Sequence, residues 1–157
     1  MTEKELVSDN IKQLISFQLL DEMYAINIRL VQEIIRIQEI TDIPRKEKYL
    51  LGVINLRGQI IPVIDLKLKL HLQKTEATNK SRIIVVKYHG VEVGMIVDAV
   101  LEVLRIPETE IEPPSPFISP LNTDHIKGLS KVAGKMVVIL DVEKSLANET
   151  IKQEEQA

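Results

Sequence analysis

The stretch GVINLRGQIIPVIDL, residues Gly52 to Leu66, is two dense apolar runs separated by one arginine, Arg57. Runs of this density and length read as buried β-strands. An arginine between two such strands must reach water at a strand end or find a partner, because an unpaired buried charge is costly. Pro62 has no N–H to donate, so its strand is expected to lie at a sheet edge or to bend there.

Moving outward from this stretch, the chain repeats itself. Gly52–Leu70 aligns with Gly128–Leu146 at an offset of 76 residues, pairing Gly52 with Gly128, Gly58 with Gly134 and Asp65 with Asp141. Upstream, Ile15–Ile37 aligns without a gap with Ile84–Ile106 at an offset of 69, where VQEIIRI falls on VLEVLRI. The two offsets differ by seven residues, which lie in the second connector with five of the chain's seven prolines. Such self-similarity predicts two structurally similar halves, here joined by the polar linker Gln73–Ser81.

Each half reads as five short strands. ISFQLL and MYAINI flank Asp21-Glu22, and RIIVVKY and VEVGMIV flank His89-Gly90, both hairpin signals. Val31–Gln38 and Val100–Ile106 read as third strands. Gly52–Arg57 with Gln59–Ile64, and Lys127–Val132 with Lys135–Leu140, complete the halves. Five such strands hide their edges best by closing into a small barrel. The expected fold is therefore mainly β: two five-stranded barrels, about 12–72 and 82–140, within one domain spanning 12–147. Asp65 and Asp141 suit the N-caps of short helices. The second helix is expected to be the longer, running through DVEKSLANETIKQEE as a C-terminal helix packed on the first barrel. Residues 1–11 and 152–157 read as polar tails.

Composition narrows the function. The 157 residues are 45% apolar, a globular core rather than disorder. The 20 basic and 23 acidic residues leave a net charge of −3, and only five residues are aromatic, so neither a basic face nor stacking rings for nucleic acid is expected. The absence of cysteine excludes disulfides, cysteine-ligated metals and thiol catalysis. No apolar run reaches 18 residues and the N-terminus MTEKELVSDN is not a signal peptide, so a cytoplasmic protein without membrane insertion is expected. His71, His89 and His125 sit in separate polar segments, each expected to be exposed. There is no phosphate loop or metal motif. An enzyme is not expected, nor a cofactor. A small barrel without an active site reads as a binding module.

GVINLRGQIIPVIDL, preceded by VQEIIRI and followed by VEVGMIVDAVLEVLRI, resembles CheW, the coupling-protein family of bacterial chemotaxis, over about residues 12–147. The resemblance implies two SH3-like β-barrel subdomains. It implies a non-enzymatic adaptor in a two-component system, coupling transmembrane chemoreceptors (methyl-accepting chemotaxis proteins) to the histidine kinase CheA. It also implies rings in which such domains, including other copies, join the CheA regulatory domain barrel to barrel. Ile28, Val31, Glu33, Val100 and Val103 match an apolar groove that receives the receptor's helical tip. Leu51, Gly52, Asn55, Leu56, Arg57, Gly58 and Phe117 match kinase-facing surfaces. Glu33 and Arg57 are expected to pair and fix the third strand against the fourth. Where some relatives carry arginine five residues before the phenylalanine, this chain has Glu112, which alters the charge of the second kinase-facing surface.

Overall fold

The computed structural model describes residues 10–44, 47–117 and 121–147. Its strands are β1 (Ile11–Leu19), β2 (Glu22–Asn27), β3 (Val31–Arg36), β4 (Leu50–Leu56), β5 (Gln59–Asp65), β6 (Arg82–Tyr88), β7 (Val91–Val97), β8 (Ala99–Pro107), β9 (Ile126–Val132) and β10 (Lys135–Leu140). The helices α1 (Leu66–Lys69) and α2 (Val142–Leu146) are each about one turn long. The Asp65 side chain accepts from the N–H groups of Lys67 and Leu68, and Asp141 from Lys144, so both aspartates cap as expected.

The strands form two five-stranded sheets, ordered β8-β1-β2-β10-β9 and β3-β6-β7-β5-β4. The internal repeat holds to the residue. Ile15 pairs with Val103 in the first sheet, and Ile84 with Ile34 in the second. Ile139 runs beside Ala25, and Val63 beside Gly94. Each pair maps onto the other through the offsets read from the sequence.

The sheets do not follow the halves, however. The expectation of one barrel from 12–72 and another from 82–140 is corrected by the pairing. β1 and β2 join β8, β9 and β10, while β6 and β7 join β3, β4 and β5. The reason is connector length. To lie beside β1 in the place β8 takes, β3 would have to run parallel to β2. The chain would then return along a six-residue strand, about 20 Å. The four Cα steps from Asn27 to Val31 reach at most about 14 Å. The chain instead steps into the neighbouring sheet through the 3-10 turn Ile28–Leu30. Only Asp98 separates β7 from β8, and the same crossing follows.

Three apolar clusters result. Leu14, Ala25, Leu104, Ile106, Val137 and Ile139 fill one sheet's interior. Ile54, Ile61, Val63, Ile83 and Val85 fill the other's, with Ile83, Ile61 and Val63 the repeat equivalents of Leu14, Val137 and Ile139. The opposite faces, including Phe17, Tyr24, Ile26, Ile84, Val86 and Met95, meet in a larger core shared by both sheets. Leu66 and Leu70, at and just after α1, join that core with Val142 and Leu146 of α2.

Four two-residue turns close the hairpins. Their first residues, Leu20, Arg57, His89 and Ala133, all have φ near +50°, and glycine follows three of them. In those three the glycine is also at positive φ, which is the type I′ pattern that matches strand twist. Arg57 thus lies in a turn, not at the end of β4. Pro62 lies in an interior strand rather than at an edge. The parallel ladder to β7 begins only at Val63, so no donor is needed at Pro62. The expected long C-terminal helix stops at Leu146, with Ala147 extended; its remainder lies outside the described residues, as do residues 1–9 and 152–157 of the expected tails. Ile11 belongs to β1 rather than to a tail.

Candidate partner-binding surfaces

The edges β3 and β4 of the second sheet meet along a seam. Beyond β3, Thr41 and Val53 exchange both backbone hydrogen bonds, at 2.8 and 2.9 Å. Next along the seam, Gln38 Nε2 donates to the Asn55 carbonyl at 3.3 Å. At its end, Arg57 Nη1 donates to Glu33 Oε1. The expected ion pair is present, and it joins the two outermost strands of the sheet. Closure is thus made by one backbone bridge and side chains, not by a continuous barrel ladder.

The local sequence builds this end. The Asn55 side chain accepts from the Gly58 N–H at 3.0 Å, bracing the turn that presents Arg57. The hydrogen bond and charge of Glu33 raise the Arg57 guanidinium further above its ordinary value, with Glu92 adding to the effect. Both partners keep contact with solvent, their side chains 60% and 30% exposed. Gly52 is buried because the seam is tight: a Cβ there would lie 2.1 Å from the Thr41 carbonyl oxygen.

The first sheet has an equivalent but plainer seam. Glu112 and Leu129 exchange backbone hydrogen bonds at 2.7 and 2.8 Å, and Ser130 Oγ donates to the Glu110 carbonyl at 3.0 Å. Gly128 sits under it, where a Cβ would meet Ile111 at 2.5 Å. Glu102 occupies the place of Glu33, but Ala133 stands where the arginine would be. Among the described residues, the charged latch exists in one sheet only.

Asn55, Arg57 and Gly58 are exposed at the latched turn; Leu56 is half-buried beside it and packs on the interior cluster, while Leu51 is half-buried at the other end of β4. Phe117 does not join them. It lies in the connector between β8 and β9 and is 97% exposed. Among the expected groove residues, Val31 and Val100 are repeat equivalents, both half-exposed and both packed on the shared core. Val103 is 50% exposed on β8. Glu33 belongs to the seam, and Ile28 lines a separate polar recess with Lys12, Arg29 and Arg105.

Sequence reasoning missed one polar cluster. Lys67 is 2% exposed, and its Nζ reaches Asp98 Oδ1 at 2.5 Å and the Thr75 hydroxyl. Asp98 Oδ2 also accepts from the Leu20 N–H at 2.7 Å, so the cluster ties α1 to the linker, to the β7–β8 connector and to the β1–β2 turn. The run Leu66-Lys-Leu-Lys-Leu70 reads as alternating lysines facing water, and nothing in it signals burial. His125 is half-buried rather than exposed as expected, because its turn lies under α2, where its carbonyl accepts from the Asp141 N–H. Among the described residues no group of three metal-binding side chains occurs, and no helix is long and apolar enough to cross a membrane.

A model of the CheW-like domain matches residues 13–150. The chain belongs to the CheW-like domain family. It is 35% identical to the chemotaxis protein CheW of Bacillus subtilis, covering 88% of this chain and 89% of that protein. It is 36% identical to the chemotaxis protein CheW of Thermotoga maritima, covering 90% and 91%. Among solved structures, the scaffolding protein TtCheW of Thermoanaerobacter tengcongensis superposes with a TM-score of 0.80 at 39% identity, covering 87% of this chain and 88% of that one. These relatives make the chain a chemotaxis scaffold or adaptor, and the SH3-like reading of its two sheets agrees with them.

Proposed function

We propose that this CheW-like chain couples transmembrane chemoreceptors to the histidine kinase CheA and catalyses no reaction itself. The reading rests on one observation: two sheets equivalent in topology and register differ at the latched turn, where Glu33–Arg57 has no counterpart. A bridge between two unlike partners needs two unlike faces, and this asymmetry supplies one. The turn Asn55–Gly58, together with Leu51 and the close-packed Gly52 at the other end of β4, forms the surface for the CheA regulatory domain. Phe117 contributes a second kinase-facing contact from the other sheet, joining domains, including further copies of this chain, into rings. Val31, Val100 and Val103 receive the receptor's cytoplasmic tip, with Ile28 contributing from its own recess. The protein works in the cytoplasm beneath the receptor array. Coupling is then a matter of assembled contacts that let receptor state bias kinase activity.

Co-sedimentation with a CheA regulatory domain and a receptor cytoplasmic fragment tests this. The expected result is one pellet containing all three. Val31→Asp should weaken receptor recovery while sparing the kinase. If the parent protein retains neither partner, the proposal is wrong.

A further inference from the structure

β3 and β6 bring two arginines face to face. Arg36 stands directly opposite Arg82 in the antiparallel register, so the two side chains share a face with Cβ atoms about 5 Å apart. Like charges so placed destabilise a sheet. Among the described residues, neither guanidinium has a carboxylate partner. The repeat shows that the fold does not require the pair, since at the equivalent place in the other sheet Arg105 faces Gln13.

Arg82 is also held in position. Its Nη1 donates to the Asn79 carbonyl at 2.9 Å and the Ser81 carbonyl at 2.8 Å. The turn it grips is closed by Thr78 N–H donating to Ser81 Oγ at 2.8 Å. A guanidinium has five N–H donors, so Nη2 and Nε stay available in a fixed orientation. The two arginines line a recess of about 410 Å³ with Ile37, Thr78, Asn79 and Ser81. Arg82 and Asn79 also line a neighbouring recess of about 380 Å³, which crosses to the other sheet at Ala99, Val100 and Leu101. The cationic pair is therefore continuous with the half-exposed Val100 surface.

We propose that Arg36 and Arg82 clamp a glutamate or aspartate side chain of the protein partner that occupies this surface. A carboxylate between them converts a repulsive cross-strand pair into charge-assisted hydrogen bonds. The adjoining Val100 and Leu101 require that the acid be carried on an apolar face, which a protein supplies and free phosphate does not. The inference rests on the reading of this surface as the receptor groove, and adds that the receptor's contact face must be acidic beside its apolar residues.

The test uses the full chain with Arg36→Gln and Arg82→Gln together, the second reproducing the residue at the equivalent position of the other sheet. Receptor-fragment binding should fall at least tenfold and lose part of its salt dependence. CheA regulatory-domain binding should be unchanged, and Tm should move by only a few degrees, because relief of the repulsion offsets the two carbonyl contacts that Arg82→Gln gives up. Equal receptor affinity for parent and double variant overturns the clamp and leaves the adaptor reading standing. A partner-independent measurement follows the Arg82 Nε–Hε resonance while an amphipathic peptide with a leucine–valine face flanked by glutamates is added. The resonance should shift with this peptide and not with its Glu→Gln form; identical responses to both overturn the clamp whether or not the receptor fragment binds.

Discussion

Arg57 and Glu33 join the two edge strands of one sheet, although three other strands lie between them in the hydrogen-bonded order. The pair acts where the backbone ladder ends. Thr41 and Val53 supply the bridge, Gln38 reaches the Asn55 carbonyl, and the ion pair closes the last gap. Exposed pairs add little net stability, so the latch matters chiefly for the shape and charge of the turn it holds.

Arg57→Ala should therefore lower Tm by only a few degrees while sharply weakening binding to the CheA regulatory domain. Glu33→Gln separates the two ways this could arise. If Arg57 is held in place by Glu33, Glu33→Gln should lose nearly as much binding, and the double variant no more than Arg57→Ala alone. Full kinase binding by Glu33→Gln would show that Arg57 contacts the kinase without needing the latch. The cycle is measured by calorimetric titration and thermal melts of the four proteins.

Gly52→Ala and Gly58→Ala should differ widely. At Gly52 the new Cβ falls 2.1 Å from backbone at Thr41, which cannot yield without opening the seam. A loss of about 3 kcal/mol or more is expected, in the range that marks a specific structural fault. At Gly58 nothing lies within 4 Å, and only its φ of +80° resists a side chain. The expected cost is about 1 kcal/mol, that of left-handed backbone. Urea unfolding of both variants checks the contrast; equal losses would mean that the seam opens freely.

The repeat was legible because apolar alternation, turn glycines and capping aspartates recur at fixed offsets. So was the Glu33–Arg57 pair, once the resemblance to the family named both residues. Sheet membership was not, since a repeat is the same whether each half folds on itself or trades strands with the other. The Ile28–Leu30 and Asp98 connectors held the answer, through the short reach they allow. Glu33 matches the groove through the family resemblance, and the structure adds that its carboxylate pairs across the seam with Arg57. Lys67 was invisible because its partners, Asp98 and Thr75, come from distant turns.

That buried cluster makes its own prediction. Asp98→Ala removes the carboxylate facing a lysine that is 2% exposed and also leaves the Leu20 N–H without its acceptor. Leaving one charge of a buried pair alone costs about 3–5 kcal/mol, and the partial exposure of Asp98, 22%, places this variant near the lower figure. Lys67→Met keeps the apolar stem and removes the charge, so it should cost less. Adding it to Asp98→Ala should recover part of the loss. Additive losses in a denaturant-based double-mutant cycle would show that the two residues act independently.

Tyr24 offers a stabilising change and a pH signature. Its side chain is fully buried, its ring stacks on Phe17 with centroids 6.3 Å apart, and its hydroxyl has no hydrogen-bond partner among the described residues. Tyr24→Phe keeps the ring and removes a desolvated polar atom, so it should stabilise the fold by about 1 kcal/mol. Burial, with the nearby Glu22 charge, pushes the phenol well above its ordinary value near 10. Above about pH 10 the unfolded chain therefore releases this proton while the folded chain keeps it. The unfolded state then binds fewer protons, and stability falls as pH rises, by up to about 1.4 kcal/mol per unit from this group. Below pH 10 both states hold the proton and the contribution is constant. The stability gap between Tyr24→Phe and the parent should thus be flat from pH 7 to 9 and widen from pH 10 to 11. A gap that stays constant to pH 11 would mean that the buried hydroxyl has a partner or reaches water.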